Sequence, residues 1–531
     1  MHSSLIYLPP EKPYLCPMLP KLPIGQQDFR KIRTSGALYV DKTQAIHRLV
    51  TEGDYYFLSR PRRFGKSLTL SVIKELFEGS RELFEGLWVE ENWDWERRYP
   101  VIHFSFSSMG YKEVGLEAAI ERALDRKAAE MGLELSGQGI SYRFQDLLKK
   151  AAREMPVVLL IDEYDKPLID YLDKDNLPTA LAHQKILKSF YSIIKDNDAN
   201  IHFLLITGVS KFSKVGVFSD LNNLRDITLS PAFSTLAGIT QSELEAYFGD
   251  EMDLIAAEKE MLPATLRADI QRWYNGYSFD AKNFLYNPFS LLNFFGDRQF
   301  NNYWFASGTP TFLVKLLRER NVVQLDNIRL DAVAFNSYNL ERLETYALLF
   351  QTGYLTIKSL DEFRIYTLGY PNLEVEESMM RHLFSEFRHE EVGASGPTVI
   401  DLRQALYAND LPTAIEVLDS VFQSIPHQLF LQKREAYFHS LVYLTFRLLG
   451  IYTQSEVNTA RGRLDCVVQT PTHIYLFEFK LDQSAEAALE QIHSRGYADA
   501  YRQSSKEVVL VGVNFSSTHK AVEGWKAEQV E

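Results

Sequence analysis

A short segment in the first hundred residues carries the residue types that bind phosphate. Residues 60–67 read Arg-Pro-Arg-Arg-Phe-Gly-Lys-Ser, against the general pattern G-x-x-x-x-G-K-[ST]. Gly65, Lys66 and Ser67 match that pattern, whereas Arg60 stands in place of its first glycine. Glycine lets the backbone approach phosphate oxygens, and the first N–H groups of the following helix favour an anion. We expect Lys66 to reach the β- and γ-phosphates of a nucleotide and the Ser67 hydroxyl to ligate Mg²⁺.

The alternative for this segment is a basic helix start that holds no nucleotide. Two further loop arginines add positive charge to a protein that is negative overall. The residues that we expect to bind ATP are Arg60, Arg62, Arg63, Phe64, Gly65, Lys66, Ser67, Leu68 and Asp162.

A pair of acids follows the apolar run Val157-Val-Leu-Leu-Ile161. Such a run predicts a strand buried on both faces, and a carboxylate at its end faces the crevice where ligands bind. We expect Asp162 to hold Mg²⁺, mostly through water, and Glu163 to polarise the attacking water. The alternative is an ordinary helix cap after a core strand.

Two more residues are candidates for the same reaction. Thr207 ends the apolar run 201–206, where its hydroxyl could orient a water near the γ-phosphate. Arg225 could act as an arginine finger on a neighbouring subunit. A local hydrogen-bonding threonine and a surface ion pair are the alternatives.

A second group of charged residues lies near the C-terminal end. Glu478 and Lys480 are two positions apart on a predicted strand, so they project from the same face. Folding the hairpin about a turn at residues 469–472 places Asp465 opposite Leu476 on that face, although a one-residue slip would reverse it. We expect Asp465 and Glu478 to bind Mg²⁺ or Mn²⁺, which activates water, and Lys480 to orient the water or offset developing charge.

Other residues could line this second site, or pack beneath it. Glu435 on the preceding helix is a further candidate acid, and Gln491 and Tyr497 on the following helix are candidate polar groups. The alternating residues Tyr475, Phe477 and Phe479 are expected to pack on a core helix. The alternative is a surface strand with alternating charges.

Strands alternate with helices through the first 230 residues, which predicts a doubly wound, mostly parallel sheet. The expected helices are 67–78, 113–131, 144–154 and 183–195. A capping box at Thr240–Glu243 starts a mainly helical region. Residues 340–358 predict a helix, a glycine turn and a strand, compatible with a winged-helix-like module. Helices are expected at 398–432 and 435–449, with a strand-rich region from Ile451.

The overall composition is that of a soluble globular protein. The chain has 531 residues, 46% of them hydrophobic, and a net charge of −13. This charge argues against non-specific coating of nucleic acid. Cys16 and Cys466 are the two cysteines, which argues against a disulfide framework or a zinc cluster. We see no signal peptide and no apolar run of membrane-spanning length, and expect a cytoplasmic protein without a membrane partner.

Ordered motifs along the chain resemble bacterial AAA-ATPase-like proteins that carry a C-terminal PD-(D/E)xK nuclease-superfamily domain. These are Leu22-Pro-Ile-Gly-Gln-Gln-Asp-Phe29, Tyr39-Val-Asp-Lys-Thr43, Ser59-Arg-Pro-Arg-Arg-Phe-Gly-Lys-Ser67, Leu160-Ile-Asp-Glu-Tyr-Asp165, Thr207-Gly-Val-Ser-Lys-Phe212, Trp273-Tyr-Asn-Gly-Tyr277, Tyr286-Asn-Pro288, Thr352-Gly-Tyr-Leu-Thr356, Gly462-Arg-Leu-Asp465 and Glu478-Phe-Lys480.

The resemblance implies an α/β multidomain protein that uses ATP and Mg²⁺, with Mn²⁺ an alternative at the nuclease-like site. The expected parts are an extended arm (1–20), a P-loop ATPase domain (21–235), a helical lid and winged-helix-like region (236–395), and a helical linker with a restriction-endonuclease-like α/β domain (396–531). The form Arg-Pro-Arg-Arg-Phe is typical of this family. Tyr39, Asp41 and Lys42 either contact the adenine or form a capping turn.

Three functions remain open from the sequence. The first is an ATP-controlled nuclease acting on DNA or RNA, with a defence or conflict role suggested by analogy to related switch ATPases. The second is a nucleotide-dependent regulatory switch whose nuclease fold only binds. The third is a motor, which requires homo-oligomeric ring assembly and the Arg225 finger.

Overall fold

The computed structural model describes residues 20–172, 175–211, 217–218, 221–306, 311–332, 335, 344–423, 434–453 and 466–530. Three sequence predictions fall outside this part of the chain. They are the extended arm up to residue 19, the acid Asp465, and the side chain of Glu435.

Five parallel strands form the first sheet, in the order β2-β3-β4-β1-β5. The strands are β1 (Tyr55–Ser59), β2 (Val101–Ser105), β3 (Val157–Asp162), β4 (Ile201–Gly208) and β5 (Arg225–Asp226). Helices cover both faces, because alternate strand residues enter different cores: Leu159 packs on one side and Leu160 on the other. This confirms the predicted doubly wound parallel sheet.

Eight helices accompany this sheet: α1 (Phe29–Thr34), α2 (Thr43–Thr51), α3 (Lys66–Glu78), α4 (Tyr111–Val114), α5 (Leu116–Glu130), α6 (Ile140–Ala151), α7 (Lys166–Ile169) and α8 (Leu177–Asp196). The helix expected at 113–131 is two helices. Gly115 separates them at φ 83°, which favours glycine and ends α4.

A helical region follows the first sheet. Its elements are β6 (Ile239–Thr240), α9 (Gln241–Glu258), α10 (Pro263–Tyr274), β7 (Leu285–Tyr286), α11 (Pro288–Asp297), α12 (Tyr303–Ala306), α13 (Thr311–Glu319) and β8 (Ile328–Leu330). The predicted capping box is confirmed: Thr240 Oγ1 accepts from Glu243 N, and the Glu243 carboxylate accepts from Thr240 N.

The expected helix, glycine turn and strand come next as α14 (Thr345–Thr352), Gly353 at φ 92°, and β9 (Thr356–Leu360). Strand β10 (Tyr366–Gly369) completes an antiparallel sheet of order β8-β10-β9.

The last part joins helices to a four-stranded mixed sheet of order β11-β12-β13-β14. Its helices are α15 (Leu373–Arg388), α16 (Ser395–Tyr407), α17 (Leu411–Gln423), α18 (Arg434–Thr453) and α19 (Ala485–Arg495), and its strands are β11 (Cys466–Gln469), β12 (His473–Leu481), β13 (Glu507–Ser516) and β14 (Ala521–Gln529). The strand-rich region expected from Ile451 was placed too early, because α18 continues to Thr453.

Short 3₁₀ helices connect several of these elements, at Arg81–Phe84, Trp88–Glu91, Phe106–Ser108, Asp198–Asn200, Pro231–Phe233, Val392–Ala394 and Tyr497–Tyr501. Within the described ranges, every helix is too short or too polar to cross a membrane.

Candidate functional site

The carboxyl ends of strands β1, β3 and β4 meet at one edge of the first sheet. Strand β4 lies between the other two, so the loop after β1 and the acids after β3 flank the end of β4. Ligands bind at this edge of open parallel sheets. The topology therefore brings the loop 60–67, Asp162 and Thr207 to the same place.

The loop curls around the amino group of Lys66. Gly65 adopts φ 94°, a left-handed conformation that favours glycine, and caps α3 at its N-terminus. Lys66 Nζ donates to the carbonyl oxygens of Arg60 and Pro61, at 2.9 Å each. Burial lowers the pKa of Lys66, while the nearby acids, foremost Asp162, oppose that shift. A buried ammonium bonded to neutral carbonyls is poised to accept an anion.

Asp162 is held by two hydroxyls that come from different elements. Its Oδ2 accepts from Ser67 Oγ at 2.5 Å, and its Oδ1 accepts from Thr207 Oγ1 at 2.6 Å. Asp162 is 3% exposed and Thr207 is fully buried. The expected Mg²⁺ residues Ser67 and Asp162 are thus in contact, and the Thr207 hydroxyl points at the same carboxylate.

A cavity of about 400 Å³ lies beside Ser67, while Asp162 and Thr207 are buried behind Ser67 and are not among the residues that line the cavity. The residues Arg62, Arg63, Phe64, Gly65, Lys66, Ser67, Leu68 and Glu163 all line it. Glu163 has φ 52°, an uncommon conformation for a residue with a side chain. Strained backbone of this kind is concentrated at functional sites.

Sequence reasoning missed four polar residues that line this cavity: Gln26, Gln27, Ser107 and Lys166. Lys166 lies three positions after Glu163, and Ser107 follows β2, the neighbour of β3 in the sheet. The strand order, which places β2 beside β3, is the signal that could have found Ser107.

Arg60 was expected to bind the nucleotide, but its side chain does not line the cavity. It is fully buried, and its guanidinium donates to the carbonyl oxygens of Ser59, Thr228 and Phe233. The Arg60 guanidinium also lies 3.9 Å from the centre of the Phe279 ring. Burial lowers the pKa of Arg60 to about 9. The residue that replaces the first glycine thus anchors the loop from behind, while its backbone carbonyl holds Lys66.

The other loop residues, Arg62, Arg63 and Phe64, line the cavity and also contact the rest of the protein. Phe64 is fully buried and packs edge-on against Tyr277 at 5.1 Å between ring centres, so it is a core residue as well as a cavity wall. The Arg63 guanidinium lies 5.0 Å from the Phe289 ring centre. The Arg62 carbonyl accepts from the Trp304 indole at 3.0 Å.

A second cavity, of about 100 Å³, is mainly apolar and adjoins the first through shared walls. Tyr39 and Lys42 line it, together with residues of α9 and α11. Lys42 is ion-paired to Glu243 at 2.6 Å. The apolar lining of this second cavity and its position beside the loop 60–67 suit the base of a nucleotide. Asp41 instead caps local turns by accepting from Thr43 N and Trp88 N. The capping interpretation therefore holds for Asp41, and an adenine contact by Tyr39 or Lys42 stays a prediction.

Asp165 is buried beside the acids after β3 and was not among the predicted site residues. Its Oδ2 accepts from Val209 N, Ser210 N and Ser210 Oγ, at 2.6–3.0 Å. Burial raises the pKa of Asp165, and the bonds from Ser210 counteract that rise. Asp165 ties the end of β4 to the acidic turn after β3.

Arg225 lies away from this cavity. It is exposed on the edge strand β5, with its guanidinium 5.9 Å from the centre of the Tyr56 ring. It therefore does not reach the cavity lined by Lys66 and Ser67 in its own chain, and a role on a neighbouring subunit stays a prediction.

In the C-terminal sheet, the predicted pairing of Glu478 and Lys480 on one face of β12 is present. Lys480 Nζ donates to Glu478 Oε1 at 3.1 Å and to Gln491 Oε1 at 2.5 Å. Glu478 is 3% exposed. Helix α19 thus supplies the predicted Gln491, whereas Tyr497 packs with a small apolar cluster beside the same sheet.

The opposite face of β12 packs as expected. The ring of Phe446 on α18 lies 5.2 Å from Phe477 and 5.5 Å from Phe479, centre to centre. The Tyr475 hydroxyl donates to the Leu406 carbonyl at 3.0 Å.

The hairpin register was predicted wrongly. Leu476 pairs with Val467, not with Asp465. The bond from Thr470 N to His473 O, at 2.8 Å, closes a two-residue loop of Pro471 and Thr472. Proline lacks a donor and suits a loop position, so the turn centre lies one residue later than predicted. Asp465 itself is outside the described residues.

The two sites differ in how far they fit a metal ion. Ser67 and Asp162 suit Mg²⁺, which keeps several waters and needs only one or two protein oxygens beside phosphate oxygens. In the described part of the chain, no group of three or more His, Cys, Asp or Glu side chains could hold a metal. Of the three acids predicted for the second site, Glu478 is the one whose side chain lies in the described part of the chain.

Comparisons with known proteins agree with this architecture. A family model described as "Predicted AAA-ATPase" matches residues 23–218, and one described as "PD-(D/E)XK nuclease superfamily" matches residues 433–525. The chain is 39% identical over 525 residues to the "Uncharacterized protein in vnfD 5'region" of Azotobacter chroococcum mcd 1. That alignment covers 96% of this chain and 99% of the relative. The chain therefore belongs to the family of proteins that join an AAA-ATPase-like domain to a C-terminal PD-(D/E)XK nuclease-superfamily domain.

Proposed function

We propose that this protein binds and hydrolyses Mg²⁺·ATP at the loop 60–67 and that the nucleotide controls a metal-dependent nuclease in the C-terminal domain. The observation that carries the first half is the Asp162 carboxylate, held at 2.5 Å from Ser67 Oγ and 2.6 Å from Thr207 Oγ1. These three residues come from α3, β3 and β4, so the fold itself assembles them.

Four residues of the first site have a defined task in this proposal. Lys66 exchanges the carbonyls of Arg60 and Pro61 for phosphate oxygens. Ser67 and Asp162 hold Mg²⁺, which offsets negative charge on the phosphates. Glu163 lines the same cavity and orients the attacking water.

The C-terminal half of the proposal rests on Glu478 and Lys480, beside Gln491. A carboxylate and an ammonium on one face of a strand are the groups that bind a metal and orient water at a phosphodiester. Bound metal would polarise the scissile phosphate. Asp465 is proposed as the second acid, and the substrate is DNA or RNA.

Packing provides a route between the two sites. The Trp304 indole bonds the loop at the Arg62 carbonyl, and Trp304 N donates to Glu374 on α15 at 2.7 Å. Glu376, also on α15, is ion-paired to Arg447 of α18 at 2.7 Å. Phe446 of the same helix packs on β12. This chain of contacts supports a coupling between nucleotide and nuclease, which needs a direct test.

The test is a cleavage assay on labelled single-stranded DNA, double-stranded DNA and RNA, with Mg²⁺ or Mn²⁺, with and without ATP. Wild type is compared with Lys66→Ala and Lys480→Ala. We expect Lys480→Ala to lose cleavage and keep ATP hydrolysis, and Lys66→Ala to lose ATP binding together with any ATP dependence of cleavage. Cleavage that persists in Lys480→Ala would refute the nuclease assignment.

A nucleotide-dependent switch with a non-catalytic nuclease fold is the second candidate. The net charge of −13 favours it, because it opposes tight binding to a nucleic-acid backbone. ATP binding without cleavage of any of the three substrates, under either metal, would establish this alternative.

A further inference from the structure

The two cavities beside the loop share a set of walls. Both are lined by Pro23, Phe64, Gly65, Leu68, Pro288 and Leu292. In a nucleotide the ribose joins the base to the phosphates. With the base in the apolar cavity and the phosphates beside Lys66, the ribose lies at these shared walls.

A turn from the N-terminal segment reaches this junction. Pro23 lies in the junction, and Gln26 lines only the phosphate cavity. Gln26 N donates to the Pro23 carbonyl at 3.1 Å, and Gly25 adopts φ 69°. Glycine of positive φ is the residue that a type II turn favours at its third position, which Gly25 occupies.

The turn is fixed to the loop helix α3. Phe29 N donates to Ser71 Oγ at 2.9 Å, and Arg30 forms two bonds to the Glu75 carboxylate, at 2.6 and 3.1 Å. The far end is tied as well, since Leu38 N donates to the Lys21 carbonyl at 2.9 Å. Gln26 is therefore positioned by the same helix that positions Lys66 and Ser67.

The carboxamide of Gln26 has an unsatisfied polar atom. Its Oε1 is shielded from solvent and has no hydrogen-bond partner within the described residues. Buried polar atoms are nearly always bonded, so an orphan oxygen in a cavity residue indicates a missing donor. A ribose hydroxyl is such a donor, and the phosphates, which only accept, are not.

We propose that Gln26 binds the ribose of the nucleotide, with its carboxamide accepting a hydrogen bond from a ribose hydroxyl. This inference rests on the proposed nucleotide site. It assigns a task to the segment Pro-Ile-Gly-Gln-Gln-Asp at 23–28, which the proposed ATP chemistry leaves without one.

The test compares the affinities of ATP, 2′,3′-dideoxy-ATP and inorganic triphosphate in wild type, Gln26→Ala and Gln26→Asn. A hydrogen bond to a neutral group predicts that wild type binds ATP about fivefold more tightly than the dideoxy analogue. Gln26→Ala should lose this preference while keeping the affinity for dideoxy-ATP and triphosphate. Gln26→Asn, which keeps the carboxamide on a shorter side chain, should retain part of the preference.

Gln271→Ala, at an exposed glutamine on α10, is the matched control and should behave as wild type. Equal loss of affinity for all three ligands in Gln26→Ala would overturn the ribose contact, as would a wild type that does not distinguish ATP from the dideoxy analogue. Wild type without affinity for any ligand would instead overturn the proposed nucleotide site, and the inference with it.

Discussion

The loop site and the C-terminal site hold their acids in different ways. Asp162 stands at the end of a strand and accepts hydrogen bonds from hydroxyls on two other elements, α3 and β4. Glu478 lies within β12, and its ion-pair partner Lys480 is two residues along the same strand. The first site depends on the topology of the sheet. In the second site, the ion pair of Glu478 and Lys480 depends only on the alternation of side chains along one strand, β12.

The two sites also require ligands of opposite charge. Lys66 is buried and bonded to neutral carbonyls, so its charge is best balanced by an added anion. In the second site the Lys480 ammonium already compensates the Glu478 carboxylate. Binding a phosphodiester there requires an added cation, which agrees with a metal-dependent reaction. A substitution in one site should therefore leave the ligand requirement of the other unchanged.

The largest effect is expected from Asp162→Asn. The amide keeps the size of the side chain, but it removes the charge that holds Mg²⁺ and places an NH₂ group against one hydroxyl. ATP hydrolysis should fall by about 10²–10³-fold, as for the loss of a transition-state contact, while ATP binding changes far less. Steady-state hydrolysis and equilibrium binding measure the two effects. Hydrolysis within about threefold of wild type would contradict the role of Asp162.

Glu478→Gln is the matched change in the second site. It keeps the oxygen that accepts from Lys480 but removes the charge that binds metal. Cleavage of nucleic acid should fall by about 100-fold with ATP hydrolysis unchanged. Raising the Mn²⁺ concentration should recover part of the cleavage if metal affinity is what was lost. A parallel loss of hydrolysis would show that the two sites are not chemically separate.

The sequence predicted best what depends on local spacing. The loop follows from a short motif and the strand before Asp162 from a continuous apolar run. The capping box at Thr240 and the shared face of Glu478 and Lys480 follow from spacings of three and two residues. The sequence predicted that Ser67, Asp162 and Thr207 lie at the same edge of the sheet. It did not predict the hydrogen bonds between them, because these depend on the order of the strands.

The two errors have different origins, one in distant residues and one in the turn itself. The motif places Arg60 in the phosphate-binding loop. In the structure, its guanidinium is buried and donates to the carbonyl oxygens of Thr228 and Phe233. The hairpin register depended on which residues of 469–473 close the turn. Gln26 lies in the motif at residues 22–29, but its spacing from the loop gave no role for it, because it reaches the site through the fold of the N-terminal segment.

The stability of the protein should depend on pH through Glu374, which contacts the region of the nucleotide loop. Burial raises the pKa of Glu374 from its ordinary 4.5 to about 7, and this residue binds Trp304, which in turn bonds the loop. The folded state keeps the proton between about pH 4.5 and 7 while the unfolded chain releases it. The free energy of unfolding should therefore decrease as pH rises through this window, by about 3 kcal/mol in total.

Glu374→Gln should remove this dependence. The variant is expected to be more stable than wild type at pH 8, and the difference should shrink towards pH 5. Denaturant unfolding at several pH values measures it. Without ATP, the same change should leave the pH dependence of nucleic-acid cleavage unaltered, because the proposed influence of Glu374 on cleavage passes through the nucleotide loop. An identical pH slope in wild type and variant would rule out Glu374 as its source.

The smallest effect compares two glycines of left-handed conformation, one behind each site. Gly353 has φ 92°, and a Cβ there would lie 2.7 Å from Pro61 Cβ, a rigid ring in the loop. Gly496, at φ 63° after α19, would meet only the flexible Asp499 carboxylate. An L-residue in this conformation costs about 1–2 kcal/mol in both variants, and the contact with Pro61 adds a further loss of stability in Gly353→Ala. Only Gly353→Ala should also weaken ATP binding, by several-fold, because Pro61 must move and its carbonyl helps to hold Lys66.

Thermal unfolding and ATP titration of both variants distinguish the two effects, and equal ATP affinities would show that the loop does not depend on α14 for its shape.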